Sequence, residues 1–182
     1  MRIIITGVPG VGKSTILDGV SKNINYPILN YGTVMLDIAK SHGIKSRDDL
    51  RKQKVEWQRN IQKEAAMALG KIENVIVDTH MSIKTNSGYL PGLPEWVLKE
   101  LKPDLLILIE ADSKDVSSRR KKDETRLRDE DESLNIQEHQ SINRGFAAAC
   151  SVQTGANVII VQNVEGKVEE TINMLSEMIK NA

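Results

Sequence analysis

The chain has little cysteine, few aromatic residues and no excess charge of either sign. Its 182 residues include one cysteine and 3% aromatic residues, and 25 Lys and Arg balance 25 Asp and Glu. A single cysteine excludes an internal disulfide. With a net charge of zero, the chain lacks the excess of Lys and Arg that is typical of nucleic-acid-binding proteins. No apolar run reaches the roughly 18–20 residues that cross a bilayer. We therefore expect a cytoplasmic protein with no nucleic-acid or membrane partner.

The remaining composition is that of an ordinary folded domain. Hydrophobic residues make up 40% of the chain and charged residues 27%, and this length is enough to bury a sizeable core in one domain. The first residues resemble a strand and not a basic segment followed by an apolar one, so we expect no secretory signal. Cys150 follows three alanines, and we expect a buried, unreactive thiol there in preference to a catalytic one.

The first fifteen residues carry the most specific motif. A β-branched run, residues 2–6, is followed by the pattern G-x-x-x-x-G-K-[ST], formed by Gly7, Val8, Pro9, Gly10, Val11, Gly12, Lys13, Ser14 and Thr15. Glycines in such a turn allow positive φ and leave space for backbone N–H groups to converge on a phosphate. In this P-loop motif the Lys13 ammonium reaches the β- and γ-phosphates and the Ser14 hydroxyl ligates Mg²⁺. The preceding strand and the helix expected from residue 13 argue against a chance match.

Helical and strand patterns alternate along the chain, which predicts an α/β fold with a parallel sheet. Five strands are predicted, at 2–6, 27–31, 74–78, 105–110 and 157–161. Helices are predicted at 13–23, 33–41, 46–69, 95–101, 113–122 and 135–154, with a last one through 168–179. The strands are continuously apolar, as in a sheet covered on both faces. We therefore predict a three-layer α/β/α P-loop NTPase fold, with its site at the carboxyl ends of the strands.

An acidic residue and a long loop follow the third predicted strand. Asp78 ends this strand, where it can hold a water of the Mg²⁺ shell or pair with Ser14; the alternative is a cap on the turn. Residues 81–94 are predicted to be a loop, and a loop this long at a strand's carboxyl end is usually functional. His80, directly before this loop, and Lys84 within it can meet phosphates, unless the segment is an ordinary surface loop.

A charge-dense segment, residues 119–132, lies between two predicted helices. Mixed charge runs are usually solvated surfaces, but Arg126 and Arg128 are also suited to a lid, since guanidinium groups grip phosphates bidentately. Arg144 on the next helix can join them, and Arg51, from another segment, can face a second substrate. The chain has no Asn-Lys-x-Asp motif, and Asp78 does not open an Asp-x-x-Gly motif. These features favour a small-molecule kinase over a GTPase.

Together the motifs resemble those of archaeal-type adenylate kinases, a branch of the P-loop nucleoside monophosphate kinases. The resemblance covers nearly the whole chain and depends on the P-loop and on segments 30–35, 49–52, 77–80, 84–85, 88–94, 125–129 and 138–144. It implies the reaction ATP + AMP ⇌ 2 ADP with Mg²⁺, and often a homotrimer. One departure is Asn163-Val164-Glu165-Gly166, where the family usually has Asn-Arg-Asp-Gly near the donor adenine.

The resemblance also implies a role for individual residues in a single domain, 1–182, with an AMP-binding insertion at about 31–72 and a lid at about 123–134. The P-loop residues and Arg120 would bind ATP. The catalytic residues would be Lys13, Arg126, Arg128 and Arg144. The AMP-binding residues would be Thr33, Arg51, His80, Lys84, Gly88, Tyr89 and Gly92. Ser14 and, through water, Asp78 would hold the metal.

Two other functions are compatible with these motifs. One is another small-molecule kinase, such as a cytidylate or shikimate kinase. The other is a nucleotide-binding assembly module with weak ATPase activity. A substrate panel, and the dependence of ATP turnover on AMP, would separate the three.

Overall fold

The computed structural model describes residues 1–122 and 133–181. The strands in this part of the chain are β1 (Arg2–Gly7), β2 (Ile28–Asn30), β3 (Val75–Asp78), β4 (Ser82–Thr85), β5 (Gly88–Pro91), β6 (Leu105–Glu110) and β7 (Asn157–Gln162). The helices are α1 (Lys13–Asn23), α2 (Tyr31–Ser41), α3 (Arg47–Arg51), α4 (Val55–Gly70), α5 (Glu95–Leu101), α6 (Ser113–Lys122), α7 (Ser133–Thr154) and α8 (Val168–Lys180).

Five strands form the central sheet in the order β2-β3-β1-β6-β7, and all neighbouring pairs are parallel. Both β1 and β6 are buried along nearly their whole length, as continuous apolar strands in a parallel sheet require. The predicted five-stranded parallel sheet is therefore confirmed. Because its strands all run the same way, their carboxyl ends meet at one edge.

The sheet separates two apolar cores, since successive side chains of a strand point to opposite faces. Ile3 and Ile5 pack with α1 and α8, and the residues buried there from the helices include Ile16, Val20, Ile172 and Leu175. On the other face Ile4 packs with α4, α5 and α7, which contribute residues including Ala65, Leu69, Val97 and Ala147. Helices thus cover both faces, and the predicted three-layer α/β/α arrangement is confirmed.

Residues 81–94 are not a plain loop, as the sequence had predicted, but contain an antiparallel hairpin. Strands β4 and β5 pair from Ser82↔Pro91 to Thr85↔Gly88. The Thr85 hydroxyl donates to the Gly88 carbonyl at 2.8 Å, and Gly88 has φ +121°, so side chain and glycine together close the turn. Both apolar residues Ile83 and Leu90 are exposed, and the hairpin therefore lacks the burial pattern by which strands are predicted.

Two helix boundaries also differ from the prediction. The helix expected over 33–41 already begins at Tyr31, because Asn30, the last residue of β2, caps α2 with its side chain. The single helix expected over 46–69 is two helices, α3 and α4, separated by residues 52–54. Gln58 stabilises this break by donating to the carbonyl oxygens of Arg51 at 3.0 Å and Gln53 at 2.8 Å.

Cys150 is buried, as predicted, and burial raises the pKa of its thiol. Within residues 1–122 and 133–181, no helix combines the length and apolar character needed to cross a bilayer.

Candidate active site

The P-loop leaves β1 at the carboxyl edge of the sheet, and α1 begins at its lysine. Gly10 and Gly12 have φ values of +92° and +90°, a left-handed backbone that glycine adopts without strain. A Cβ at Gly7 would come within 2.7 Å of the Ile109 carbonyl oxygen on the neighbouring strand. The glycines of the motif are therefore needed for this loop geometry, which leaves the N-terminus of α1 facing the site.

Side chains from α6 and from the end of β7 support the P-loop. Arg120 Nε donates to the Pro9 carbonyl at 2.8 Å. Asn163 Nδ2, from a buried side chain, donates to the Val11 carbonyl at 2.7 Å, and Arg119 Nη1 donates to the same oxygen at 3.2 Å. Arg120, predicted to bind ATP, thus lies against the P-loop. Sequence reasoning missed the contribution of Arg119 to this support.

Lys13 and Asp78 form an ion pair across the sheet edge, because β1 and β3 are neighbours and Ile5 lies opposite Asp78. The Lys13 ammonium also donates to the Thr79 carbonyl at 2.9 Å. Only 13% of the Lys13 side chain and 20% of the Asp78 side chain are exposed. Asp78 is thus paired with Lys13 and not with Ser14, and the lysine is held at the mouth of the P-loop.

A polar cluster on the other side of Asp78 contains Thr33, one of the predicted AMP-binding residues. Asn30 Nδ2 donates to Asp78 Oδ2 at 2.8 Å, and its Oδ1 accepts from the Thr33 amide at 3.0 Å. Arg47 Nη2 donates to the Thr33 hydroxyl at 3.2 Å. Arg51 instead pairs with Asp48 at 3.1 Å, and 77% of its side chain is exposed. The structure therefore brings Arg47, which sequence reasoning missed, to Thr33.

Three of the other residues predicted to bind AMP lie in the hairpin and a fourth directly follows it: Lys84, Gly88 and Tyr89, and then Gly92. Lys84 is opposite Tyr89 in the register, and the Tyr89 ring lies 5.0 Å from the His139 ring on α7. A Cβ at Gly92 would clash with the backbone of His80. The hairpin is fixed to α7 by Ser82, whose hydroxyl donates to Asn143 Oδ1 at 2.6 Å.

His80 follows the ion pair along the chain and opens to solvent. Partial desolvation and the positive charge of Lys13 lower the pKa of its imidazole below the ordinary value of 6.5. Both effects favour the neutral imidazole over the imidazolium. A neutral imidazole can offer a phosphate a hydrogen bond but not a full charge.

Arg144 forms a bidentate ion pair with Glu110 at the far side of the edge. Its guanidinium donates to both oxygens of Glu110, with Nε–Oε1 at 2.8 Å and Nη2–Oε2 at 2.5 Å. Glu110 is buried at the end of β6 and also accepts from Gln162 Nε2 at 3.0 Å. The carboxylate raises the pKa of Arg144. These residues line a cavity of about 620 Å³ between α6 and α7. Sequence reasoning missed Glu110, because one acidic residue at a strand end is common.

Residues 123–132, with Arg126 and Arg128, lie outside the described part of the chain.

The oxygen ligands near the P-loop suit Mg²⁺. Ser14 is exposed in the first turn of α1, and the Asp78 carboxylate lies beside Lys13 of the same turn. A hydroxyl and a single carboxylate are hard oxygen ligands, and Mg²⁺ is usually bound by one or two such groups together with water and substrate phosphates. In the described residues there is no group of three or more His, Cys, Asp and Glu that would form an all-protein metal site.

Solved structures with the same architecture include two small-molecule-binding proteins. Shikimate kinase from Acinetobacter baumannii, solved with shikimate, has a TM-score of 0.63 and 14% identity, covering 99% of this chain and 93% of that one. The YorR protein from Bacillus subtilis, solved with phosphorylated GDP, has a TM-score of 0.63 and 15% identity, covering 99% and 96%. At such identities the likeness shows the fold alone.

Relatives found by sequence share a much higher identity with this chain than these solved structures do. A family model described as an AAA domain matches residues 6–137. A Thermoplasma acidophilum protein named adenylate kinase is 53% identical, covering 98% of this chain and 98% of the relative. Proteins of the same name from Methanopyrus kandleri and Methanocaldococcus jannaschii are 47% and 43% identical, each covering 98% of this chain and 97% of the relative. Such identity over nearly the full length means that the chain belongs to the adenylate kinase family.

Proposed function

We propose that this member of the adenylate kinase family catalyses reversible, Mg²⁺-dependent transfer of the γ-phosphoryl group of ATP to AMP, giving two ADP. The observation that carries this proposal is the placement of two cationic groups around Asp78. Lys13 approaches it from the P-loop, and Arg47 is linked to it through Thr33 and Asn30. A donor site and a separate acceptor site can thus share one edge of the sheet.

Each side of the edge would bind one nucleotide. The P-loop amides and Lys13 would hold the donor phosphates, and Ser14 with water-bridged Asp78 would hold Mg²⁺, which neutralises charge on the phosphates when bound. Thr33, Arg47 and Arg51 would face the acceptor phosphate, together with His80 and Lys84. The hairpin glycines Gly88 and Gly92, with Tyr89, would line the AMP site.

The chemistry itself requires little from the protein besides positioning and charge. Phosphoryl transfer passes through a loose transition state whose charge lies on the transferred group. Arg144, Arg126 and Arg128 would stabilise this charge, as guanidinium groups do in related reactions. No general base is needed, because the attacking AMP phosphate is already anionic.

The organisation of the chain follows from this division. Residues of about 31–72, which include α2, α3 and α4, would form the AMP-binding insertion of a single domain. Residues of about 123–134 would form the lid.

We also propose a homotrimer. The edge strand β7 exposes Val158 and Ile160 at 37% and 43%, which supports self-association, and analytical ultracentrifugation would measure its stoichiometry.

A coupled assay of ADP formation tests the proposed reaction. The protein is incubated with Mg·ATP alone, and with AMP, CMP or shikimate as acceptor. We expect turnover to require an acceptor and AMP to be preferred. Turnover with shikimate or CMP alone would favour another small-molecule kinase, and slow ATP hydrolysis unaffected by AMP would favour an assembly module.

A prediction for the acceptor site compares two arginines on α3. We expect Arg47→Ala to raise the KM for AMP about tenfold, the loss of one charge-assisted phosphate contact, with little effect on the KM for ATP. Arg51→Ala should raise the KM for AMP less, because Arg51 pairs with Asp48 and is far more exposed to solvent. Steady-state kinetics with each substrate varied in turn would measure both. Equal effects of Arg47→Ala on the two substrates would contradict the division into two sites.

A second prediction separates the catalytic role of Arg144 from its structural one. Arg144→Ala should lower kcat, and it should also lower the melting temperature because Glu110 is left buried without its cation. Adding Glu110→Gln removes that charge, so the double variant should recover the melting temperature and stay as slow as Arg144→Ala. If the double variant also recovered kcat, Arg144 would have no direct role in transfer.

A further inference from the structure

A continuous chain of polar contacts, from Lys13 to Arg47, connects the two proposed sites. Lys13 pairs with one oxygen of Asp78, and Asn30 Nδ2 donates to the other at 2.8 Å. Asn30 Oδ1 accepts from the Thr33 amide at 3.0 Å and from the Thr33 hydroxyl at 3.2 Å. Arg47 then donates to that hydroxyl at 3.2 Å. Asn30 is thus the link between the carboxylate at the donor site and the cation at the acceptor site.

The backbone fixes Asn30 in this position. It is the last residue of β2, directly opposite Asp78 in the parallel register, and it is also the N-cap of α2. The two ends of its amide serve different partners, since only the nitrogen can donate to Asp78 and only the oxygen can accept from Thr33. The Thr33 hydroxyl donates to Asn30 and accepts from Arg47, so its orientation is set from both sides.

We propose that Asn30 is a positioning residue that couples the donor and acceptor sites. Lys13 would turn from Asp78 to the donor phosphates when ATP binds. Asp78 then exchanges this direct charged partner for a water of the Mg²⁺ shell, which leaves Asn30 as its direct side-chain donor, and this charge-assisted bond strengthens. Asn30 in turn holds Thr33 and Arg47 more firmly, so a bound donor favours binding of the acceptor. This inference rests on the proposed function, which supplies the two sites.

The variant Asn30→Ser separates this role from helix capping. Serine is as good an N-cap as asparagine, but its hydroxyl is too short to bond Thr33 and Asp78 together. The measured quantities are the melting temperature and the Kd for AMP, with and without a saturating, non-hydrolysable ATP analogue and Mg²⁺. Asn25→Ser, an exposed position in the turn between α1 and β2, is the matched control.

In the wild type and in Asn25→Ser we expect the analogue to tighten AMP binding about fivefold or more, as is usual for coupled sites. In Asn30→Ser this factor should fall below about twofold, while the melting temperature stays within about 2 °C. Linkage requires the same factors for the effect of AMP on the analogue. Asn30→Asp is a second variant that retains the cap but faces Asp78 with another carboxylate, and it should lose the coupling as well.

Two results would overturn the proposal. If Asn30→Ser and Asn30→Asp kept the wild-type factor, Asn30 would be a helix cap only. If the wild-type factor were one, the two sites would not be coupled at all. The assay of AMP-dependent ADP formation separates this failure from that of the proposed function: an enzyme that forms ADP from AMP but shows no coupling refutes only the role of Asn30.

Discussion

We expect Lys13→Ala to lower kcat by roughly 10²–10³, the usual effect of removing one preorganised group that faces developing charge. The reason is that Lys13 lies at the mouth of the P-loop, where it meets only Asp78 and the Thr79 carbonyl among the contacts described. It packs in none of the apolar cores of the described chain, and Asp78 retains its bond from Asn30. The variant should therefore remain folded.

Steady-state kinetics and thermal unfolding of the same preparation would measure this effect. Lys22→Ala is the matched control, because Lys22 lies in the last turn of the same helix and is exposed. The control should keep the wild-type rate. A folded Lys13→Ala protein with a rate within about threefold of wild type, far short of the usual loss, would contradict the assignment of the P-loop as the donor site.

The largest effect on binding is expected for a ligand with two adenosines joined by five phosphates. If the donor and acceptor sites face each other across Asp78, this ligand occupies both. The second contact is then intramolecular, and affinity should exceed that of either nucleotide by roughly 10²–10⁴. A ligand that binds only the folded state stabilises it by about 2.7 kcal/mol at 100 times its Kd. The melting temperature should therefore rise more than with equal concentrations of ATP and AMP.

Arg47→Ala provides the control for this experiment. It should reduce the advantage of the linked ligand over ATP, because it weakens only the acceptor side. A thermal shift no larger than that given by ATP alone would mean that the protein has no second nucleotide site. That outcome would favour a nucleotide-binding assembly module.

The fold was predictable from the sequence because its main signals are local. Strands such as β6 are short, continuously apolar runs buried on both faces, and the P-loop glycines stand at positions where backbone geometry requires them. The hairpin β4–β5 was missed because its apolar residues are exposed. It is fixed by contacts with α7, such as that of Ser82 with Asn143, and these join residues far apart in sequence.

The site was predictable only where a motif fixes it. Lys13 follows β1 through the P-loop and Asp78 ends β3, and because β1 and β3 are neighbours the sheet brings the two residues together. Arg47 and Arg51 are one helical turn apart on α3, and sequence alone does not say which faces Thr33. Asn30 and Glu110 look like ordinary strand ends. The structure shows their contacts: Asn30 donates to Asp78, and Glu110 accepts from Arg144.

The fate of the γ-phosphoryl group distinguishes transfer to AMP from hydrolysis. ATP labelled in its γ-phosphoryl group is mixed with AMP, Mg²⁺ and the protein, and the labelled products are separated over a single early time course. We predict that the label appears in the β-position of ADP formed from AMP, with two ADP formed for each ATP consumed and no labelled inorganic phosphate. Label released as inorganic phosphate, at a rate that does not depend on AMP, would contradict transfer between two bound nucleotides.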